Sequence, residues 1–442
     1  MKHFVEARLG CLEALRSLEI AHLFQRACLI IDLQGRIRLV LRPTSAGANE
    51  EGRQRIKAKL QAAGEGFWTD ELWIEQENMP PSERALYEEV WKEARSEPPG
   101  QDRTFVLDRR LSKDAWLSRP YEPPWPLEGE APPILSFYSF KGGVGRTTAL
   151  LAVAVNAARA GLRCLIVDFD LEAPGAGTLA SPDNRAVAPW GVVDFVLEYP
   201  VVSKYGMNLA EYYHVCDDPK VIGDTGEPIH VVPAGALDDW YLEKLARVNY
   251  EVLYHSATPE ASMPSPLHAL LQDLCRQVDP HIVLVDSRAG LHDLGGLSLC
   301  GLAHQQVLMG LHSEQSWQGL RFAISRLGKQ MLLEGKTQRD CTIVHAHAPP
   351  LEPGRLDQIR AFRERSFDLF RDLYYDPADS EEGEWPLPDP EDPAAPHYPA
   401  VLTWDQRIAG YRELREVANF LCEGEYRALT ITLLERVGRS LE

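Results

Sequence analysis

The chain lacks most of the features that would assign it at a glance. No apolar run approaches the ~18–20 residues needed to cross a bilayer. Its opening, MKHFVEARLGCLEALRSLE, carries charge throughout and has no signal-peptide core. Cysteine is scattered, eight residues without a CxxC pair, which leaves no zinc-ribbon or dithiol spacing and suits buried thiols in a reducing cytoplasm. Positive charge is also short: 46 Lys and Arg stand against 65 Asp and Glu, a formal net charge of −19. Non-specific DNA binding works by neutralising phosphates, and no long basic run supplies a cationic face, so the charge argues against DNA as a partner. What remains is ordinary globular material, 45% hydrophobic over 442 residues. That length exceeds one core and implies roughly two or three domains.

One stretch organises the rest. Residues 134–140, ILSFYSF, are β-formers without polar periodicity and read as a buried strand. They run into Lys141-Gly142-Gly143-Val144-Gly145-Arg146-Thr147-Thr148 and then an Ala- and Leu-rich helix over 148–160. A strand, a glycine-rich turn and a helix N-terminus together form an anion site, because consecutive backbone N–H groups and the positive end of the helix point the same way. The P-loop pattern is met with two departures: its first glycine falls on Phe140 and its lysine on Arg146. The Thr147 hydroxyl is placed to hold Mg²⁺.

Lys141-Gly-Gly-Val-Gly-x-Thr, with a lysine one turn before the usual position, resembles the deviant Walker A motif of the ParA/MinD family of dimerising ATPases. The arginine form, KGGVGR, resembles a sub-group of that family found in bacterial regulatory and conflict systems, antiviral defence among them. The resemblance runs from about residue 134 to the C-terminus. It implies a doubly wound, mostly parallel α/β P-loop NTPase domain with ATP and Mg²⁺ as cofactors and a nucleotide-dependent homodimer. Lys141 would then reach the partner's phosphates, and residues 141–148 would cradle the triphosphate.

Further acids fall in family order. A strand over 163–168 ends in Asp168-Phe169-Asp170, whose carboxylates, two residues apart, face one side of an extended strand. The resemblance implies that one orients the attacking water and the other holds Mg²⁺ through water. The run HIVLVD, ending at Asp286, fits the Walker B strand and a metal-bound water. Gly290, in Ser287-Arg288-Ala289-Gly290, matches the position whose N–H senses the γ-phosphate. Arg288 could pair with an acid or reach a phosphate. Strands at 306–311 and 341–345 alternate with helices at 314–333 and 355–373, the pattern of a parallel sheet.

Outside this domain, residues 1–118 read as a small α+β module. It has a helix over 4–24, a hairpin of 28–33 and 37–41 turning at Gln34-Gly35, helices at 50–63 and 82–95 with Ser82 as cap, and a strand at 104–107. Trp68, Trp73, Trp91 and Trp116 are expected mostly to fill its core. Residues 119–133 are proline-rich and read as a semi-rigid linker. Residues 176–280 resemble the family least, with helices expected at 190–199, 238–254 and 267–278 and a strand at 229–233. Residues 376–399 form an acidic, proline-rich loop. Helices are expected at 406–422 and 425–440, the last mixing charges and so favouring the core over anionic lipid. His345 and His347 share a strand face without a third ligand nearby, and Cys300 lacks the second cysteine that a shared cluster needs.

The reading is an ATP-binding, slowly hydrolysing switch in the cytoplasm that regulates a protein partner through residues 1–118. Two alternatives stay open: a partition-type ATPase that positions DNA or cargo, and an ATP-dependent phosphoryl-transfer enzyme or ligase on the same fold.

Overall fold

A computed structural model describes residues 2–441 except 77, 99, 101, 118–121, 182–186, 203–205, 251–252, 254–264, 335–339, 351–353 and 376–386. It divides into two compact units, Met1–Leu111 and Ser112–Glu442. The division falls before residue 118, so Trp116 belongs to the second unit. The described part of the proline-rich stretch is no free linker: the Trp125 indole N–H donates to the Pro132 carbonyl, and Gln272 donates to that of Pro124. Part of the acidic stretch, 376–386, lies outside the described residues.

The first unit is a five-stranded sheet between helices. Its strands are β1 (Phe24–Ile31), β2 (Ile37–Pro43), β3 (Trp68–Ile74), β4 (Arg95–Ser96) and β5 (Thr104–Asp108), in the order β3-β2-β1-β5-β4. The expected hairpin is there, with Ile31 opposite Ile37 in antiparallel register. Helices α1 (Phe4–Arg16) and α2 (Glu50–Gly64) bury Cys11, Leu12, Leu15, Ile56 and Leu60 against one face. Helix α3 (Pro81–Glu93) lays Tyr87, Val90 and Trp91 on the other. Pro81 opens α3, where its missing N–H costs no helical bond, so Ser82 is not the cap. Of the tryptophans expected in this core, Trp68 is buried, Trp91 packs edge-on against Phe105 and Trp73 is 44% exposed.

The second unit is built on an eight-stranded sheet: β6 (Ile134–Ser139), β7 (Cys164–Asp168), β8 (His214–Cys216), β9 (Ile229–Val232), β10 (Ile282–Asp286), β11 (Gln305–Gly310), β12 (Asp340–Ala348) and β13 (Ala400–Thr403). Their order is β13-β12-β11-β6-β10-β7-β9-β8. Every pairing is parallel except β8 with β9. Strands β6, β7 and β10 are buried at every position, as predominantly apolar strands are when helices cover both faces of a parallel sheet.

Helix α4 (Arg146–Arg159) packs into one face together with Leu429, Leu433 and Leu434 of the last helix, α5 (Gly424–Arg436). That last helix therefore sits on the sheet, as its mixed charges suggest. The expected helix over 406–422 is instead two 3-10 turns and a short helix, Ala418–Leu421. The expected 238–254 helix shrinks to Tyr241–Leu245 among its described residues.

Candidate functional site

The central strand β6 ends at Ser139 and α4 begins at Arg146, so residues 140–145 form a turn at the tip of the sheet. Gly143 and Gly145 have φ of +73° and +81°, left-handed values that glycine adopts without strain. A Cβ placed on Gly142 or Gly143 would meet nothing within 4 Å, so the space beside both glycines is open. Val144 sends its side chain into the core and leaves only its backbone to the cradle. Lys141 is exposed.

Phe140, where the P-loop pattern has glycine, is matched by a glycine elsewhere. A Cβ on Gly319 would fall 1.8 Å from the Phe140 Cγ, so the ring lies flush on the backbone of the Glu314–Glu334 helix. The bulk that the pattern leaves out is taken up by this close approach.

Acids from two neighbouring strand tips converge on the start of α4. The Arg146 Nε lies 2.6 Å from the Asp286 Oδ1, and its Nη2 lies 2.8 Å from the Asp170 Oδ2. The Thr147 hydroxyl donates to the Asp286 Oδ2 at 2.6 Å. Arg146 is only 8% exposed; burial opposes its charge, but Asp286 and Asp170 more than offset this and push its pKa up. The Thr148 hydroxyl lies 3.3 Å from that of Tyr411. Arg288 adds a second guanidinium to Asp170, Nη1 to Oδ1 at 2.7 Å, and extends its Nη2 to the Glu172 Oε2 at 2.8 Å. His292 completes the chain, 3.0 Å from the Glu172 Oε1.

Two residues stand differently from the sequence reading. Asp168, expected to share the work of Asp170, is fully buried and accepts from the backbone N–H groups of Asp170, Gly175 and Ala176. Its carboxyl holds the loop after β7 in shape, and burial, with the Asp286 charge behind it, pushes its pKa up to about 7. Gly290 does not offer its N–H to the cradle. It donates to the Ser139 carbonyl at 3.0 Å, since the last carbonyl of β6 needs a donor, while the Tyr138 hydroxyl holds the Gly290 carbonyl.

The donor set suits magnesium: the Thr147 hydroxyl and two carboxylates are hard oxygen ligands gathered in one network. No cluster of three or more His, Cys, Asp or Glu in metal-binding arrangement occurs among the described residues, so the threonine and a phosphate would have to complete the shell. His345 is buried and stacked on Phe362, and the His347 backbone leaves the strand conformation with φ of +50°, so they form no imidazole pair. Cys300 is buried in the apolar cluster around Tyr138.

A central parallel strand, an open glycine turn at a helix N-terminus and an acid at the adjacent strand tip decide the architecture. The second unit has a P-loop NTPase fold. Among solved structures, the chain is similar to ParA of pNOB8, at 15% identity over 70% of this chain and 99% of that one, TM-score 0.43. MinD of Aquifex aeolicus matches at 15% over 70% and 98%, TM-score 0.40. An ATP complex of a point variant of McdA from Cyanothece matches at 15% over 54% and 80%, TM-score 0.38. No family model matches the chain, and neither does any curated protein.

Sequence reasoning left Arg288 open between an acid and a phosphate; in the structure it pairs with Asp170 and Glu172. Only its position, two residues past the Walker B acid, hinted that it would meet the acids of the neighbouring strand.

Proposed function

We propose that the second unit binds ATP with Mg²⁺ in the turn 141–148 and hydrolyses it slowly, as a switch that dimerises in its nucleotide-bound form. Its state would pass to a protein partner through the first unit, in a bacterial regulatory or defence setting. The observation that supports this most is the meeting of Arg146, Thr147, Asp170 and Asp286 beneath an open glycine turn.

Hydrolysis moves the γ-phosphoryl group to water: a bond to the water oxygen forms, and the bond to the ADP oxygen breaks. Bound magnesium would neutralise charge on the β- and γ-phosphate oxygens. Thr147 and Asp286 would hold it, with Asp170 close enough to hold a metal-bound water or orient the attacking one. Asp168, fastened to three N–H groups, acts as the brace of that loop.

Arg146 must turn from the acids to meet a phosphate. A guanidinium forks onto oxygens in a plane and is bulkier than an ammonium. Its two carboxylate partners favour the turned-away state, which fits slow turnover. Lys141, exposed on the rim, is free to act across a dimer interface on charge developing at the γ-phosphate, an effect that can contribute a few kcal/mol.

Phosphate release and sedimentation with ATP test this together. Wild type should turn over slowly and dimerise only with nucleotide. Lys141→Ala should lose turnover by at least about tenfold while still binding ATP as a monomer. If the variant hydrolyses and dimerises like wild type, the trans-acting lysine is wrong.

A further inference from the structure

Both oxygens of Asp170 are taken by guanidinium groups from different segments. Arg146 comes from the start of α4 and Arg288 from the loop after β10. The two arginines are not held alike. Arg146 is 8% exposed and anchored a second time on buried Asp286, whereas Arg288 is 24% exposed and its other anchor, Glu172, is 41% exposed. Glu172 is in turn held by His292 from the same segment as Arg288, so the residues following Asp286 grip the loop after β7 at two points. Asp168 fixes the inner end of that loop through Asp170, Gly175 and Ala176, and leaves its acidic tip to be set by Arg288.

We infer that Arg288 is a positioning residue, a metal-gated clasp that occupies Asp170 in the nucleotide-free protein and yields it when a magnesium–triphosphate enters. The inference rests on the P-loop reading above. A divalent cation and a guanidinium compete for the same carboxylate, and the more exposed of the two arginines is the one that solvent can most readily replace. When Arg288 lets go of Asp170, the grip between the two loops reduces to Glu172 and His292, so metal entry and loosening of the 287–292 segment become one event. An arginine serves here because its fork spans two carboxylates at once; a lysine ammonium at the same place could hold one.

The clasp makes a prediction that a merely structural ion pair does not. Binding of a fluorescent, non-hydrolysable ATP analogue to the full chain is titrated against free Mg²⁺. In Arg288→Ala, the half-saturating Mg²⁺ should fall about fivefold, the scale of losing one competing, solvent-accessible ion pair, with affinity in EDTA unchanged within about twofold. Glu172→Gln, a change at an exposed position, should shift it the same way by less. An unchanged or raised Mg²⁺ requirement in a folded Arg288→Ala protein overturns the clasp while leaving the nucleotide site standing. Should Arg288→Ala not fold, an unchanged or raised requirement in Glu172→Gln overturns it instead. If wild type binds no analogue with Mg²⁺, the P-loop reading falls and takes the clasp with it.

Discussion

At the scale of single residues, the arginine in place of the P-loop lysine has a cost that can be measured. Removing it leaves Asp170 and Asp286 buried side by side with one counter-charge fewer, a change that typically destabilises by about 3–5 kcal/mol. Arg146→Ala should therefore lower the urea midpoint strongly, and added Mg²⁺ should restore part of the loss by taking the vacated acids; a midpoint within error of wild type would contradict the pairing. His345 gives a pH test. Burial, helped by His312 and Arg355, lowers its pKa from 6.5 to about 4, while the unfolded chain keeps the ordinary value. Between those two values the unfolded state binds the extra proton, so this part of stability is present above about 6.5 and is lost as pH falls toward about 4, by up to about 3 kcal/mol. His345→Phe should flatten that fall in urea titrations, and an equally steep fall would show that His345 is not its source.

Spacing marked Thr147, Asp170 and Asp286 as site residues because strand tips and a helix start have fixed places in a parallel sheet. It could not show that Asp168 points inward onto backbone N–H groups while Asp170 points to the arginines, since that depends on how the chain turns after β7. Nor could it show the Gly290 N–H bound to Ser139, a partner distant in sequence.

At the scale of elements, the long apolar strands and amphipathic helices were legible, and the short edges were not. Strands β8 and β13 have three and four residues, too few for a pattern, and β3, Trp-Thr-Asp-Glu-Leu-Trp-Ile, sits at a sheet edge where polar residues face water. Phe140 read as a defect in the P-loop because its complement, Gly319, lies on another helix. That contact is testable. Gly319→Ala puts a methyl into the Phe140 ring root, which should destabilise by about 1–3 kcal/mol and weaken nucleotide binding by tilting the turn that follows Phe140. A variant of wild-type stability and affinity would mean that the ring has room to move.

At the scale of the whole molecule, the segment that follows the first unit is fastened beside the site. Lys113 meets Asp293 through both its backbone N–H and its ammonium, the latter at 2.8 Å. Trp116 donates to the His292 carbonyl at 2.7 Å and lies against Gly296. The residues after Arg288 thus hold the start of the second unit through Lys113 and Trp116. With a net charge of −19, the protein should also leave random duplex DNA unshifted in a gel with ATP at low salt, and a salt-sensitive shift would favour the partition-type alternative. No helix among the described residues is long and apolar enough to cross a membrane.

The central claim is that one pocket, made by the turn after β6 and the acids just after β7 and at the end of β10, takes a magnesium–triphosphate. Equilibrium binding of ATP to wild type and Asp286→Asn, with Mg²⁺ and with EDTA, tests it most directly. Wild type should bind at least about tenfold more tightly with Mg²⁺, and Asp286→Asn should erase that difference. A wild-type protein that binds ATP equally with and without the metal, or not at all, would contradict the account.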